Sequence, residues 1–480
     1  MQEALSFLNQ LSDDDIESLF ELGSEQQTIT NTVILKEGEV SPTLYIVLEG
    51  LVGVSTRSLP DRQLATLGPG ELVGEISFLE QKPAIATVTI VENTLLLAIP
   101  ADALREAMER RAGFGSRMYR SLALLAAQRL RNQVSALGRW VKRSEKGRVI
   151  DDELFGKIAS TVDDFKQLMR DCDTQALQND GEVPQQLRQK ALADFSELTR
   201  GANQILGQQS ELGEAVANSL GARFQQEFLP YLLLTRTAER FYSKPRGYAG
   251  DFLTIEMIYE NSPSGTSRIG PLLDECFLRE PAATAVQNRR GLLCDEIEKA
   301  MRSDGPTRVT SMASGPAAEL FDVYKTLESP ENLKASCIDI DLQALAFVSD
   351  RRDQRKLRQH MDLLNCNLVY LALGRQELNL ANQDLAYSIG LIDYFADKFV
   401  IELLNYVHGI LREGGKVILG NFHPRNSSRA TMDHVLDWKL IHRTEDDMHR
   451  LFKASKFARP CDEIRYEEQR VNLFASCIKQ

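Results

Sequence analysis

Hydrophobic and polar positions change rhythm several times along this chain. Residues 1–22 form a short, acidic, helix-compatible lead, with Ser12 placed to N-cap a helix that opens on Asp13–Asp15. Between 28 and 100 the pattern turns to short β-rich runs at 33–35, 44–50, 51–54, 64–67, 86–92 and 95–100, punctuated by glycines at 38, 50, 53, 68, 70 and 74. Strands broken by turn signals at this spacing predict a small antiparallel roll or barrel. Over 101–143 the period becomes helical. Ala123, Ala127, Leu130, Val134, Leu137 and Val141 recur at spacings of four and three. This is the seam of a dimeric coiled coil, or a stripe that packs on the chain's own roll.

Residues 151–240 are polar and helix-compatible, rich in Gln and Asn, with a break around Asp180–Pro184. They predict two or more amphipathic helices acting as a connector or cap. Pro245, Gly247 and Gly250 then enforce a loop within FYSKPRGYAGDF. From about 288 onward the apolar runs RVTSMAS, KASCIDID, QDLAYSIG and KVILGNF alternate with helical patterns. That alternation predicts βαβ units and a largely parallel sheet. The expected organisation is multidomain: a jelly-roll-like β-roll over 1–105, a long dimerisation-type helix over 106–145, a helical connector over 146–285, and an α/β Rossmann-like domain over 286–480.

Composition narrows the function classes. The chain has 480 residues, 43% hydrophobic and 26% charged, ordinary for a soluble globular protein. A net charge of −12 argues against non-specific nucleic-acid or anionic-membrane binding. No apolar run approaches the ~20 residues of a membrane span, and the N-terminus lacks a secretory pattern. The seven cysteines are scattered, odd in number and without a CxxC pair. Buried thiols in a reducing cytoplasm are therefore expected, rather than disulfides or zinc. The six histidines all follow residue 359 with no HExxH spacing, so no metal site is expected.

Two segments carry candidate chemistry. The first runs from Gly70 to Val88, GELVGEISFLEQKPAIATV. With Gly38 and the run Leu44–Gly50, it resembles the phosphate-binding cassette of the cyclic nucleotide-binding family over roughly 15–135. In such a cassette a turn and helix start present backbone N–H groups to a cyclic phosphate. The resemblance implies ligand roles for Gly74, Glu75 and Thr87, with Glu75 on the ribose. It also implies an arginine on the phosphate, but that position is Ala84, and losing the guanidinium forfeits roughly 1.5–3 kcal/mol or more. The roll thus binds a cyclic nucleotide or another small molecule, or is purely structural. Rolls of this kind often precede a DNA-reading helix pair; none follows residue 143, so no DNA partner is expected.

The second segment, Val309 to Leu320, reads as strand, tight turn and helix start. Small residues at Ala313, Gly315 and Ala317 let the backbone approach a ligand, with Ser314 between them. About twenty-five residues on, Asp339 closes the next apolar run, where an acid can take both hydroxyls of a ribose. Asp341 reads instead as a helix N-cap. The third element, Gln383 to Phe395, carries Ser388, and the fourth is the Gly414-Gly415 strand of LREGGKVILGNF, in which a helix is expected to end at the glycine pair. In this order the four resemble class I methyltransferases, which implies S-adenosylmethionine as cofactor. Ser311 stands where that family has an acid, and Ala313 and Ala317 replace glycines. By the same resemblance Asn367 faces the adenine, or is a simple turn asparagine.

The stretch 230–475 also resembles bacterial methyltransferases that make 3-hydroxy fatty acid methyl esters as signals. The carrying residues are Lys244–Asp251, Tyr387–Tyr394, Gly420–Pro424 and Trp438–Arg443. A lipid-like or small carboxylate acceptor is implied, and its carboxylate needs a cationic or N–H-bearing anchor. His423, Tyr394 and Arg443 are the candidates; each has a structural alternative, a turn cap for His423 and an ion pair with Glu445 or Asp446 for Arg443. Tyr248 and Asp251 either close the site or form a plain turn. The alternative for the whole chain is a non-catalytic sensor built on degenerate copies of both folds.

Overall fold

Gly50 shapes the N-terminal sheet. In the computed structural model, which describes residues 11–57, 59–80, 82–111, 113–123, 125, 148–207, 214–302 and 305–480, the two runs on either side of Gly50 form one strand. Gly50 sits at φ +86°, and a Cβ there would lie 2.5 Å from Thr94 Oγ1. The register shifts at this point, so Gly50 makes a bulge that bends a continuing strand rather than a turn that ends it.

The chain divides into two compact units, Met1–Lys142 with Pro245–Tyr248, and Arg143–Lys244 with Ala249–Gln480. In the first, helix α1 (Asp13–Leu22) begins on the expected cap: Ser12 Oγ accepts from the Asp15 amide, and Asp15 accepts from the Ser12 amide. Strands β1 (Ser24–Thr28), β2 (Val33–Leu35), β3 (Thr43–Thr56), β4 (Leu59–Leu67), β5 (Leu72–Val73) and β6 (Thr87–Pro100) follow, with the short helix α2 (Glu75–Glu80) before β6. All pairings are antiparallel, in the order β1-β6-β3-β4, with β2 on β6 and β5 on β3. Helix α3 (Ala101–Arg110) is shorter than the helical period implied, because the chain breaks around Gly113 at φ +77° before resuming at 114. The proposed seam from Ala127 to Val141 lies outside the described residues.

The second unit opens with helices α4 (Arg148–Gln178), α5 (Gln185–Leu206), α6 (Glu214–Leu232), α7 (Arg236–Ser243), α8 (Phe252–Glu260), α9 (Gly270–Leu278) and α10 (Pro281–Ala300). The break at Asp180–Pro184 separates α4 from α5, as read from the sequence. Phe165, Phe195, Phe224 and Phe228 lock the first three together, with ring centroids 5.3–5.9 Å apart.

The remaining chain alternates as expected: β7 (Thr307–Met312), α11 (Ala318–Thr326), β8 (Leu333–Asp339), α12 (Leu342–Gln354), β9 (Met361–Asn365), α13 (Leu368–Ala372), β10 (Gln383–Ile389), α14 (Asp397–Ile410), β11 (Leu411–Phe422), α15 (Glu445–Ala454), β12 (Glu463–Tyr466) and β13 (Asn472–Ile478). The sheet runs β12-β13-β11-β10-β7-β8-β9, with β7 to β11 parallel and β12 and β13 antiparallel. Strand order therefore reverses between β7 and β10. In open α/β sheets, ligands bind beyond the carboxyl ends of the strands at such a reversal. One expectation is corrected here: α14 ends at Ile410, not at the glycine pair. Gly414 and Gly415 lie inside β11, where a Cβ on Gly415 would meet Gln383 O at 2.6 Å.

Phe195 is fully buried amid the connector aromatics. Phe195→Ala is expected to lower unfolding free energy by about 3–5 kcal/mol, read by chemical denaturation; a loss below about 1 kcal/mol would refute that packing role.

Candidate functional site

Three backbone segments converge where the strand order reverses. The turn after β7 holds Ala313, Gly315 and Ala317 at φ +53°, +52° and +49°. Glycine tolerates that conformation; each alanine costs roughly 1–2 kcal/mol there. The Ser314 amide donates to Ile338 O at 3.1 Å, and the Gly315 amide donates to Asp339 Oδ2 at 2.8 Å. Asp339 Oδ1 accepts from the Asp341 amide at 2.9 Å, and Asp341 itself N-caps α12. Burial pushes the Asp339 carboxyl up to about 6, opposed by these amides.

Helix α8 adds a wall that sequence reading missed. The Cβ of Phe252 lies 4.0 Å from where a Gly315 Cβ would sit, and its ring meets Phe347 of α12 at 5.4 Å. Glu256 Oε1 pairs with Arg351 of α12. Asp251, fully buried, N-caps α8 and pairs with Arg240 through both oxygens at 2.9 Å, so it builds the wall rather than facing a ligand. Among the described residues, buried side-chain atoms that lack a hydrogen-bond partner include Ser314 Oγ, Glu256 Oε2 and Asp393 Oδ2, and elsewhere atoms of Tyr406, Thr431, Asp433 and Asn472. Native structures hold few such atoms, and the first three come from elements around the reversal. They fit a polar ligand that brings its own donors.

The structure sorts the remaining candidates. Ser311 is buried beside the Tyr387 hydroxyl, which donates to Glu319 at 2.7 Å. Ser388 Oγ donates to Met312 O at 3.0 Å and is fully buried, bracing β10 on β7. Asn367 caps α13 by accepting from the Val369 amide at 2.9 Å, the turn reading of that residue. His423 accepts from the Arg425 amide at Nδ1, which leaves Nε2–H to donate to Glu445 at 3.1 Å; both ring nitrogens are engaged. Tyr394 accepts from Trp438 Nε1 at 2.8 Å and sits beside Gly250, whose Cβ would lie 2.8 Å from the hydroxyl oxygen.

Arg443 is corrected as an anchor. Its five N–H groups reach Asp397, Ile392 O, Asn421 and Phe395 O at 2.6–3.1 Å, and it is 2% exposed. No donor remains for a substrate. Its ion-pair partner is Asp397 rather than Glu445 or Asp446. A narrow apolar crevice of about 20 Å³ has Phe241, Ile258, Val286, Met432 and Trp438 in its walls, all of them buried in the connector core. Glu280 also lines it, and burial raises that carboxyl to about 8, neutral near pH 7.

In the roll, Gly74 at φ +91° turns β5 into α2, where Glu75 is buried at the helix start. Thr87 Oγ1 accepts from the Glu37 amide at 3.1 Å. Ala84 packs into the roll core with Leu35, Val47 and Val88, and backbone bonds of 2.8 Å tie it to Gly38 and Glu39. The arginine position of the cassette is therefore filled by a core methyl group.

Roll and cassette together define the N-terminal region as a cyclic nucleotide-binding domain, and residues 27–111 match that family. The chain is 25% identical over 167 residues to the CRP-like cAMP-activated global transcriptional regulator of Mycobacterium tuberculosis, covering 34% of this chain and 73% of that relative. It is 39% identical over 103 residues to the Cyclic AMP receptor protein of Thermus thermophilus, 20% of this chain and 44% of that one. Among solved structures, the Catabolite Activator Protein of Thermus thermophilus aligns at 25% identity and TM-score 0.26, over 34% of this chain and 71% of its own. A possible exported protein from Bordetella parapertussis aligns at 18% identity and TM-score 0.44, over 61% of this chain and 96% of its own. No helix among the described residues is long and apolar enough to cross a membrane.

Arg443→Met is expected to cost about 3–5 kcal/mol of stability, because it strips a buried network of its cation; unchanged denaturation would return Arg443 to the list of anchors. At the roll, cyclic AMP or cyclic GMP at about 1 mM should raise the melting temperature by less than ~1 °C, since a ligand that binds the folded state must stabilise it. A clear rise with either would show that Ala84 does not disable the cassette.

Proposed function

We propose that this chain is an S-adenosylmethionine-dependent methyltransferase that esterifies a small or lipid-like carboxylate, regulated by its N-terminal roll. The observation that carries the reading is the bond between Asp339 Oδ2 and the Gly315 amide, at the reversal of strand order. It sets an acid suited to two ribose hydroxyls beside a turn whose small residues admit a ligand against the backbone. The four ordered sequence elements support the same cofactor.

When bound, the cofactor supplies an electrophilic methyl group on a sulfonium. Asp339 orients the ribose through the lone pairs its two amide bonds leave unused. Phe252 walls the turn against water, and the unpartnered oxygens of Ser314, Glu256 and Asp393 accept from the ligand's donors. A carboxylate acceptor is already ionised near pH 7. No general base is required, so the chain's task is to hold the acid in line and strip its water.

A second reading is a non-catalytic sensor on a degenerate methyltransferase fold. The observation favouring it is the strain of Ala313 and Ala317, held left-handed where the family has glycine. Incubation with methyl-labelled donor and a bacterial lipid extract separates the two: label in a base-labile ester supports the enzyme, while donor binding without transfer supports the sensor.

Asp339→Ala should weaken donor binding at least tenfold by calorimetry; unchanged affinity would remove Asp339 from the site. The carboxyl is raised to about 6, so it is protonated below that pH and ionised above it. Donor affinity of the natural protein should therefore rise as pH increases through about 6, and this dependence should vanish in the Asp339→Ala protein.

A further inference from the structure

Arg289 lies on the buried stripe of α10, between Val286 and Leu293, and is 6% exposed. Its Nε donates to the Tyr259 hydroxyl of α8 at 3.3 Å. Among the described residues no hydrogen bond or ion pair reaches Nη1 or Nη2, which leaves four N–H donors free of protein partners, while the charge itself acts on the buried carboxyls of Glu319 and Asp393. Buried charges are ordinarily paired. Glu296, seven residues further along α10 and also buried, shows the usual outcome: it meets Lys299, Lys416 and Arg465.

The guanidinium has a defined neighbourhood. Nη1 lies 3.1 Å from where a Cβ on Gly390 would sit, so it packs against the turn that leaves β10, one of the two strands at the reversal. Asp393, three residues further, feels the Arg289 charge yet keeps Oδ2 without a partner. One helical turn before Arg289, Val286 lines the apolar crevice, and Ile258, the neighbour of Tyr259, lines it too. A cation with spare, co-planar donors thus sits on α10 beside the turn that leaves β10.

We infer that Arg289 is the anchor for the acceptor's carboxylate, its two terminal nitrogens pairing with the two carboxylate oxygens. The planar fork of a guanidinium matches a carboxylate in this way. The inference rests on the methyltransferase reading for the chemistry, but not for the binding.

The test uses the full chain saturated with S-adenosylhomocysteine, titrated with decanoate and with its neutral methyl ester. The natural protein should bind decanoate at least tenfold more tightly than the ester. Arg289→Met should abolish that preference, Arg289→Lys should restore part of it, and S-adenosylhomocysteine affinity should change less than twofold in both. Retained decanoate preference in Arg289→Met would overturn the proposal and make Arg289 part of the scaffold. Absence of S-adenosylhomocysteine binding, with decanoate still dependent on Arg289, would overturn the methyltransferase reading and leave the anchor standing.

Discussion

The bond from the Gly315 amide to Asp339 is the constraint on which the candidate site depends. It crosses from the turn after β7 to the end of β8, and the Ser314 amide makes a parallel crossing to Ile338 O. Together they force the turn close to the neighbouring strand. The cost is visible on both sides: a carboxyl buried enough to rise to about 6, and two alanines held in the left-handed region. Burying a carboxylate is unfavourable unless donors surround it. The turn supplies those donors, and Ser388 braces the next strand against Met312 O. The elements therefore hold one another, and each strained part is explained by the part it satisfies.

What the sequence makes legible follows from the range of the forces involved. Local signals survive folding. Ser12 caps its helix, Asp341 caps another, Asp180–Pro184 breaks a helix, and the alternation after 288 becomes a mainly parallel sheet. Glycine is ambiguous at this level, because it marks both turns and bulges. Gly50 and the Gly414-Gly415 pair read as breaks, yet they sit inside strands where backbone or side chain approaches too closely for a Cβ. Side-chain partners are less legible still. Arg443 engages Asp397, 46 residues away, and nothing local distinguishes it from a substrate anchor. Phe252 reaches the glycine turn only because α8 crosses the sheet domain, a consequence of tertiary packing.

The two halves differ in how far similarity constrains them. The family match ends at residue 111, and within it Ala84 joins the roll core where a phosphate arginine is expected. Similarity thus fixes the fold of the roll while its own residues argue about its ligand. The α/β unit is constrained from within. There the sheet reversal, the Asp339 bond and the unpartnered oxygens do the constraining, and they point to a ligand without naming it.

Buried charge separates scaffold from site more sharply than residue type or motif. Arg443 and Arg289 are both arginines with less than a tenth of their surface exposed. The first spends all five N–H groups on protein acceptors, which makes it a clamp joining Ile392, Phe395, Asn421 and Asp397. The second spends one, on a tyrosine hydroxyl. Its charge acts on the buried carboxyls of Asp393 and Glu319, while four of its N–H groups stay free of protein partners. Lying on α10 against the turn beyond β10, it holds a planar set of donors whose geometry matches a carboxylate.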